Sequence, residues 1–305
     1  MPNFTRRQAL AATAALPATA MSFSAARAAT EMKGPSFAKH RRFQLGDFEV
    51  TTLLVGTVTR EDMQTIFGMN VSPEEFERVS AENFIPADRA QFFFTPTIVN
   101  TGTELVLFDT GLNAEGTGEA LAEAGYNPSD VDKVVITHMH GDHIGGLLNN
   151  GAPTYANASH HTGQIEFDHW ATAGAEGFET NVRPIAEQFS FLEDGSSVSS
   201  GITAMAAFGH TPGHMTYMIE SGGQQLLLIA DLANHPVWSL GYPDWEVRFD
   251  MDKTAAAASR RRVLGMLAAE RMPFIGYHMP FPALGFVETR GDGFRYVPAS
   301  YQMML

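Results

Sequence analysis

The chain has 305 residues, 44% of them hydrophobic and 18% charged, with a formal net charge of −14 and no cysteine. That length and apolar content suit one well-packed domain, and the missing cysteines exclude disulfides and thiolate ligands, so any metal must be held by histidine and carboxylate. The acidic balance argues against a nucleic acid partner, whose phosphates such a chain repels.

The first residues read as a processing segment. Thr5-Arg6-Arg7-Gln8-Ala9-Leu10 is a twin-arginine pattern, followed by an alanine-rich apolar run to about Met21 and an Ala26-Arg27-Ala28 cleavage box. The expectation is a signal peptide over residues 1–28, recognised by the twin-arginine (Tat) export machinery, and a product spanning 29–305 that is periplasmic or secreted. No later stretch is long and apolar enough to promise a membrane span.

Beyond it, Phe43 to Val58 reads as a hairpin turning at Gly46-Asp47. Ser72-Pro73-Glu74-Glu75 predicts a helix start, with a capping serine, proline at the first position and acids in the first turn. Phe92 to Phe108 reads as two strands joined near Thr101-Gly102. Glu115 to Ala124, Ser159 to Trp170 and Asp252 to Arg271 read as helices, the last stopped before Pro273. No internal repeat or low-complexity linker interrupts this mixture of strands and helices, which fits an α/β or α+β layered domain.

The densest chemistry is Thr137-His138-Met139-His140-Gly141-Asp142-His143, four metal-binding side chains directly after an apolar strand. In extended chain, residues two apart point the same way, so His138 and His140 can grip one ion, while a turn eased by Gly141 aims Asp142 and His143 at a neighbouring position. Neutral imidazole is the commonest zinc ligand, and carboxylate charge helps hold a second dication nearby. Other apolar strands also end in ligand-type residues. Leu105 to Phe108 runs into Asp109, Leu226 to Ala230 into Asp231, and Phe274 to Tyr277 into His278. Ile202 to Phe208 leads into Gly209-His210-Thr211-Pro212-Gly213-His214, where glycine and proline force a loop.

From about Phe43 to the C-terminus, the HxHxDH motif, the GHTPGH loop, the strand ending in Asp231 and the late His278 resemble the metallo-β-lactamase superfamily, in that family's order. Asn100-Thr101-Gly102 with Asp109-Thr110-Gly111, Tyr277 to Pro282, and Gly293 to Pro298 are similar to its methyl parathion hydrolase branch, near the quorum-quenching lactonases. The resemblance implies a four-layer αββα sandwich with two divalent metal ions, zinc first, although such ligands also accept iron, manganese or cobalt. It assigns His138, His140 and His210 to one ion, Asp142, His143 and His278 to the other, and Asp231 to a bridge between them. His214 is expected to be a hydrogen-bonded loop histidine, and Asp109 to orient the metal-binding loop.

The implied reaction is hydrolysis of an ester, lactone or phosphotriester by a metal-bridging hydroxide, with Asp142 and Asp231 as catalytic carboxylates and Asp142 passing a proton to the leaving group. His235 is expected to face the substrate. Related lactonases carry a tyrosine three residues after the bridging aspartate; here that position is Asn234. The substrate is expected to be a small, uncharged, partly apolar molecule; Phe67, Phe92, Phe93, Phe94, Trp238, Trp245, Phe281 and Phe286 are candidates for the mouth, each read first as core because large aromatics are mostly buried. The alternatives are a β-lactam or thioester hydrolase of the same fold and a diiron redox protein, against which His140 keeps the hydrolase pattern. A homodimer is left open. Replacing Arg6 and Arg7 with lysine is expected to strand the precursor in the cytoplasm, read by fractionation and immunoblotting; unchanged export contradicts the signal assignment.

Overall fold

Leu105, Val106, Leu107 and Phe108 are all buried, yet they face two different cores, because successive strand side chains point to opposite faces. Leu105 and Leu107 share a core with Val134, Ile136 and the helical residues Ala120 and Leu121. Val106 and Phe108 share another with Val99, Val135 and, from a second sheet, Tyr217, Leu226 and Leu228. A strand apolar at every position has thus to be covered on both sides. In this computed structural model the described residues are 36–304 with Met32 and Gly34, so the expected signal peptide lies outside them. The strands and helices described here belong to the unit Ala38–Leu305.

The first seven-stranded sheet runs His40–Leu45, Phe48–Leu53, Thr97–Asn100, Leu105–Phe108, Lys133–Ile136, Ser159–Gly163 and Phe189–Leu192 in spatial order. Its last four strands are parallel. The second runs Ser197–Ser199, Ile202–Ala206, Met215–Ser221, Gln224–Ala230, Phe274–Gly276, Leu284–Arg290 and Gly293–Pro298. There Gln224–Ala230 and Phe274–Gly276 are the parallel pair, joined through the helix Lys253–Glu270, whose Val263, Leu264 and Leu267 are buried in the core containing that sheet. The layers are those of an αββα sandwich. Segments that leave parallel strands at their C-terminal ends gather along one edge, where open α/β sheets place their ligands.

The expected hairpin turns at Gly46-Asp47, with Leu45 paired to Phe48. The expected helix Pro73–Glu82 is capped by Ser72, whose Oγ accepts from the Glu75 amide at 3.3 Å. Two expectations are corrected. Phe92 to Phe108 is three strands, because the chain breaks at Thr95-Pro96 and Arg89–Phe94 pairs with Gly56–Glu61 in a separate hairpin. Ser159 to Trp170 is a strand, Ser159–Gly163, followed by the helix Gln164–Ala173. Polar residues conceal that strand, since His160 and Thr162 are buried between parallel neighbours where aliphatic side chains usually sit.

Candidate metal centre

Each ligand-type residue reaches the sheet edge from a strand end. His138 and His140 follow Lys133–Ile136, and Asp142 and His143 sit in the single turn Gly141–Ile144. Asp231 follows Gln224–Ala230, His278 follows Phe274–Gly276 by one residue, and His210 lies in the loop after Ile202–Ala206. That loop passes so close to its neighbours that only glycine fits at two places. A Cβ on Gly209, at φ +125°, would lie 2.1 Å from the Ala256 amide nitrogen, and one on Gly213 would lie 2.2 Å from that of Glu166.

Two clusters result, His138, His140, His210 and Asp231 in one and Asp142, His143 and His278 in the other, each with its candidate ligand atoms within 4.8 Å of one another. In the first, His140 Nδ1 lies 3.1 Å from His138 Nε2 and 3.0 Å from His210 Nε2. Asp231 Oδ2 is 3.8 Å and 3.4 Å from those two Nε2 atoms. In the second, Asp142 Oδ2 is 3.7 Å from His143 Nε2 and 3.3 Å from His278 Nε2. Asp231 reaches this set too, Oδ1 at 3.3 Å from His143 Nε2 and Oδ2 at 3.2 Å from His278 Nε2. A tetrahedral ion with bonds of about 2.0–2.1 Å separates its ligands by about 3.4 Å, so these spacings are those of coordination polyhedra.

On four of the five imidazoles the opposite ring nitrogen is spoken for. His143 Nδ1 donates to Asp109 Oδ2 at 2.8 Å, His210 Nδ1 to Asp250 Oδ1 at 3.0 Å, and His278 Nδ1 to the Phe93 carbonyl at 2.8 Å. His138 Nδ1 meets Thr137 Oγ1 at 3.1 Å, and that hydroxyl donates to Asp109 Oδ2. Such contacts fix the tautomer that leaves Nε2 lone pairs for a metal. His143 Nε2 and Asp231 Oδ1 are buried with no hydrogen-bond partner among the described residues, a costly state that a cation between them removes. The donor set therefore fits divalent ions.

The electrostatics point the same way. Burial, then the neighbouring His143, hold His138 well below the ordinary imidazole range, and burial with His210 pushes His140 down to about 3, so both rings are neutral. Burial also opposes charge on His278 and His210, but Asp231 with Asp142 in one case and Asp231 with Asp250 in the other outweigh it, raising them to about 10 and about 9. Asp231 stays well below the usual carboxylate range because His278, His143 and His210 overcome the penalty of burying it. Protons on His210 and His278 thus hold the places that cations take over, since the same carboxylates attract both.

His214 spends both nitrogens on backbone, Nδ1 on the Ala207 carbonyl and Nε2 on the Asp231 amide, each at 3.1 Å, and so props the strand end that carries Asp231. Asn234 Nδ2 donates to Asp231 Oδ2 at 2.9 Å. The structure corrects the expectation for His235. Its Nδ1 accepts from the Val237 and Trp238 amides, its ring stacks on Trp238 with centroids 4.1 Å apart, and it lines a separate cavity with Thr59, Gln91 and Trp238.

Sequence reasoning missed two buried carboxylates. Glu166 accepts from the Met139 amide, Trp170 Nε1, Thr211 Oγ1 and the Gly213 amide, tying the HxHxDH turn to the GHTPGH loop. Asp250 pairs with the buried Arg260 at 2.7 Å as well as with His210. Trp170, four residues on and so one turn along the same helix face, was the available signal for Glu166; nothing local marked Asp250.

Above the ligands opens a cavity of about 560 Å³ with His140, Gly141, Asp142, Asp231 and His278 on its floor and Val58, Phe92, Phe94, Leu112, Phe249 and Arg60 around it. Of the candidate aromatics, Phe92 and Phe94 line it while packing in the core, whereas Phe67, Trp238 and Trp245 belong to the same core without reaching this cavity. Phe249 and Leu112 were not anticipated.

The chain belongs to the metallo-beta-lactamase superfamily, whose family model matches residues 95–273. AidC, a dizinc quorum-quenching lactonase solved with the product N-hexanoyl-L-homoserine, is similar at 26% identity over 86% of this chain and 97% of that one, with a TM-score of 0.80. The hydrolase AbOPH shares the fold at 22% identity over 87% and 99% of the two chains, with a TM-score of 0.78. Among curated proteins, ribonuclease Z of Pyrococcus furiosus is 47% identical over 49 residues, which are 16% of this chain and 15% of that protein. With two ligand clusters on the shared scaffold, the protein is a metal-dependent hydrolase.

Asp109→Asn is expected to lower affinity for metal at the Asp142, His143 and His278 set about 10- to 100-fold, as loss of such a support does. Chelator competition followed by elemental analysis reads the change, with circular dichroism to confirm the fold; undiminished affinity contradicts the support role.

Proposed function

We propose that the protein is a dinuclear hydrolase of small, partly apolar esters or lactones, working after export in the periplasm or outside the cell. The observation that carries this reading is a single carboxylate, Asp231, shared by two ligand sets on the floor of a cavity with mainly apolar walls. In this reading His138, His140 and His210 hold one cation, Asp142, His143 and His278 the other, and Asp231 touches both; zinc is the metal of AidC and the first candidate here. Bound in pairs, such cations lower the pKa of water from about 15.7 toward roughly 7 and polarise the group under attack.

The residues of the chain supply the rest. No serine lines the cavity among the described residues, so water is the nucleophile. Asp142 belongs to a ligand set and also borders the cavity, where its carboxylate takes the proton of the attacking water and hands it to the leaving oxygen. Phe92, Phe94 and Phe249 seat the apolar body of the substrate and shed water from it. Asn234 steadies Asp231 through its amide and so does not take the carbonyl-assisting part of the tyrosine that lactonases carry there. The net charge of −14 disfavours polyanions such as RNA as substrates. Export rests on the Arg6-Arg7 pattern and the Ala26-Arg27-Ala28 box.

Metal-analysed protein assayed on lactones, aryl esters, phosphotriesters, thioesters and β-lactams is expected to turn over lactones or aryl esters best and to lose that activity on chelation. Preference for β-lactams, or activity untouched by complete metal removal, contradicts the reading.

A further inference from the structure

The cavity wall contains one permanent cation. Val58 and Arg60 stand two apart in the strand Gly56–Glu61, so they share a face, and cross-strand pairing adds Phe92 opposite Val58 and Phe94 opposite Gly56 to that face. All four line the cavity above the ligands. The alternate face, with Thr59 and Gln91, lines the cavity that holds His235. The hairpin thus presents a guanidinium to the metal pocket by strand alternation.

The exposed Arg60 guanidinium has no hydrogen bond or ion pair with another described residue; its Cζ rests 5.9 Å from the centre of the Phe92 ring. Arg78 pairs with Glu75 and Glu82, Arg183 with Glu179, Arg260 with Asp250, Arg261 with Asp244 and Arg295 with Glu288, and Arg42, Arg262 and Arg290 make side-chain hydrogen bonds. Arg41, Arg89, Arg248 and Arg271 lack a side-chain partner among the described residues too, but none of them lines this cavity. Phe92 also stands 5.8 Å, edge-on, from the His278 ring, so a single aromatic ring separates the guanidinium from the metal ligands. A planar fork of N–H donors, held over an aromatic face and left without an acceptor, is the recognition group for a carboxylate. A chain this acidic repels anions at long range, so an anionic group settles only where a local cation meets it.

We infer that Arg60 selects substrates, and that the preferred ester or lactone carries a carboxylate on its apolar body, several bonds from the bond that is cleaved. The scissile carbonyl lies over Asp142, Asp231 and His278, the apolar body crosses Phe92 and Phe94, and the distal carboxylate meets Arg60. This rests on the hydrolase reading and replaces the uncharged substrate expected from sequence with a monoanion.

Two matched pairs of probes separate the claims. Adipic acid monoanilide and hexananilide, of equal length and cleaved slowly if at all, report binding by calorimetry to zinc-loaded protein; monophenyl adipate and phenyl hexanoate report turnover. Wild type is expected to bind the monoanilide more tightly than hexananilide. Arg60→Gln is expected to erase that preference by about tenfold, and Arg60→Lys to restore part of it. For the esters the same factor appears in KM for monophenyl adipate, with kcat nearly constant. Equal effects of Arg60→Gln on charged and neutral probes, or no preference in wild type, overturn the assignment while ester turnover still supports the hydrolase reading. Arg60-dependent binding of the monoanilide without cleavage of either ester supports the anion site and sinks the hydrolase reading instead.

Discussion

Three buried carboxylates that are not themselves in the ligand clusters hold the centre together. A carboxylate removed from water has to be satisfied by donors from the chain, so each one fastens whatever segments supply them. Asp109 joins Thr137 and His143 to the end of Leu105–Phe108; Glu166 joins the Met139 amide to Thr211 and Gly213; Asp250 joins His210 to Arg260 of the long helix. Together they fix the HxHxDH turn and the GHTPGH loop from behind. Burial pushes the Asp109 carboxyl up against the pull of His143, which makes that hydrogen bond a contact the fold cannot give up without leaving a stranded group.

With the loops held, the front of the site is governed by charge. Asp142 and Asp231 face the imidazoles across 3.2 to 3.8 Å, and their negative charge favours positive charge on His143, His210 and His278 or on a cation between them. Divalent ions meet the same demand with stronger bonds and relieve the orphaned His143 Nε2 and Asp231 Oδ1. Hydrogen bonds and packing behind the ligands thus hold their geometry. The cavity wall is separate in origin, a hairpin outside both large sheets, yet it touches the centre, because the Phe93 carbonyl accepts from His278 and the Phe92 and Phe94 rings stand edge-on to that imidazole.

The residues of the two candidate ligand clusters were legible in the sequence because each follows an apolar strand or sits in a dense motif, and such signals are local. Asp109 was legible for the same reason. Glu166 and Asp250 were not, since, Trp170 aside, their partners lie 27 to 47 and 10 to 40 residues away and a buried carboxylate looks like any other acid. The strand Ser159–Gly163 was hidden by its polar composition, and Arg89–Phe94 by an apolar run that continues past the Pro96 break. His235 looked like a pocket residue by its closeness to Asp231 in sequence, but the turn that follows folds its ring back onto Trp238. Phe249 and Arg60 reach the cavity only through tertiary pairing, which periodicity does not report.

The central claim is that one carboxylate serves two cations, and metal stoichiometry in Asp231→Asn tests it most directly. Elemental analysis of wild type is expected to find two equivalents of divalent metal per chain, and of the folded variant clearly fewer, with neither position retaining full occupancy. Two full equivalents in Asp231→Asn, or a wild type that takes up no second ion when metal is supplied, would contradict the account.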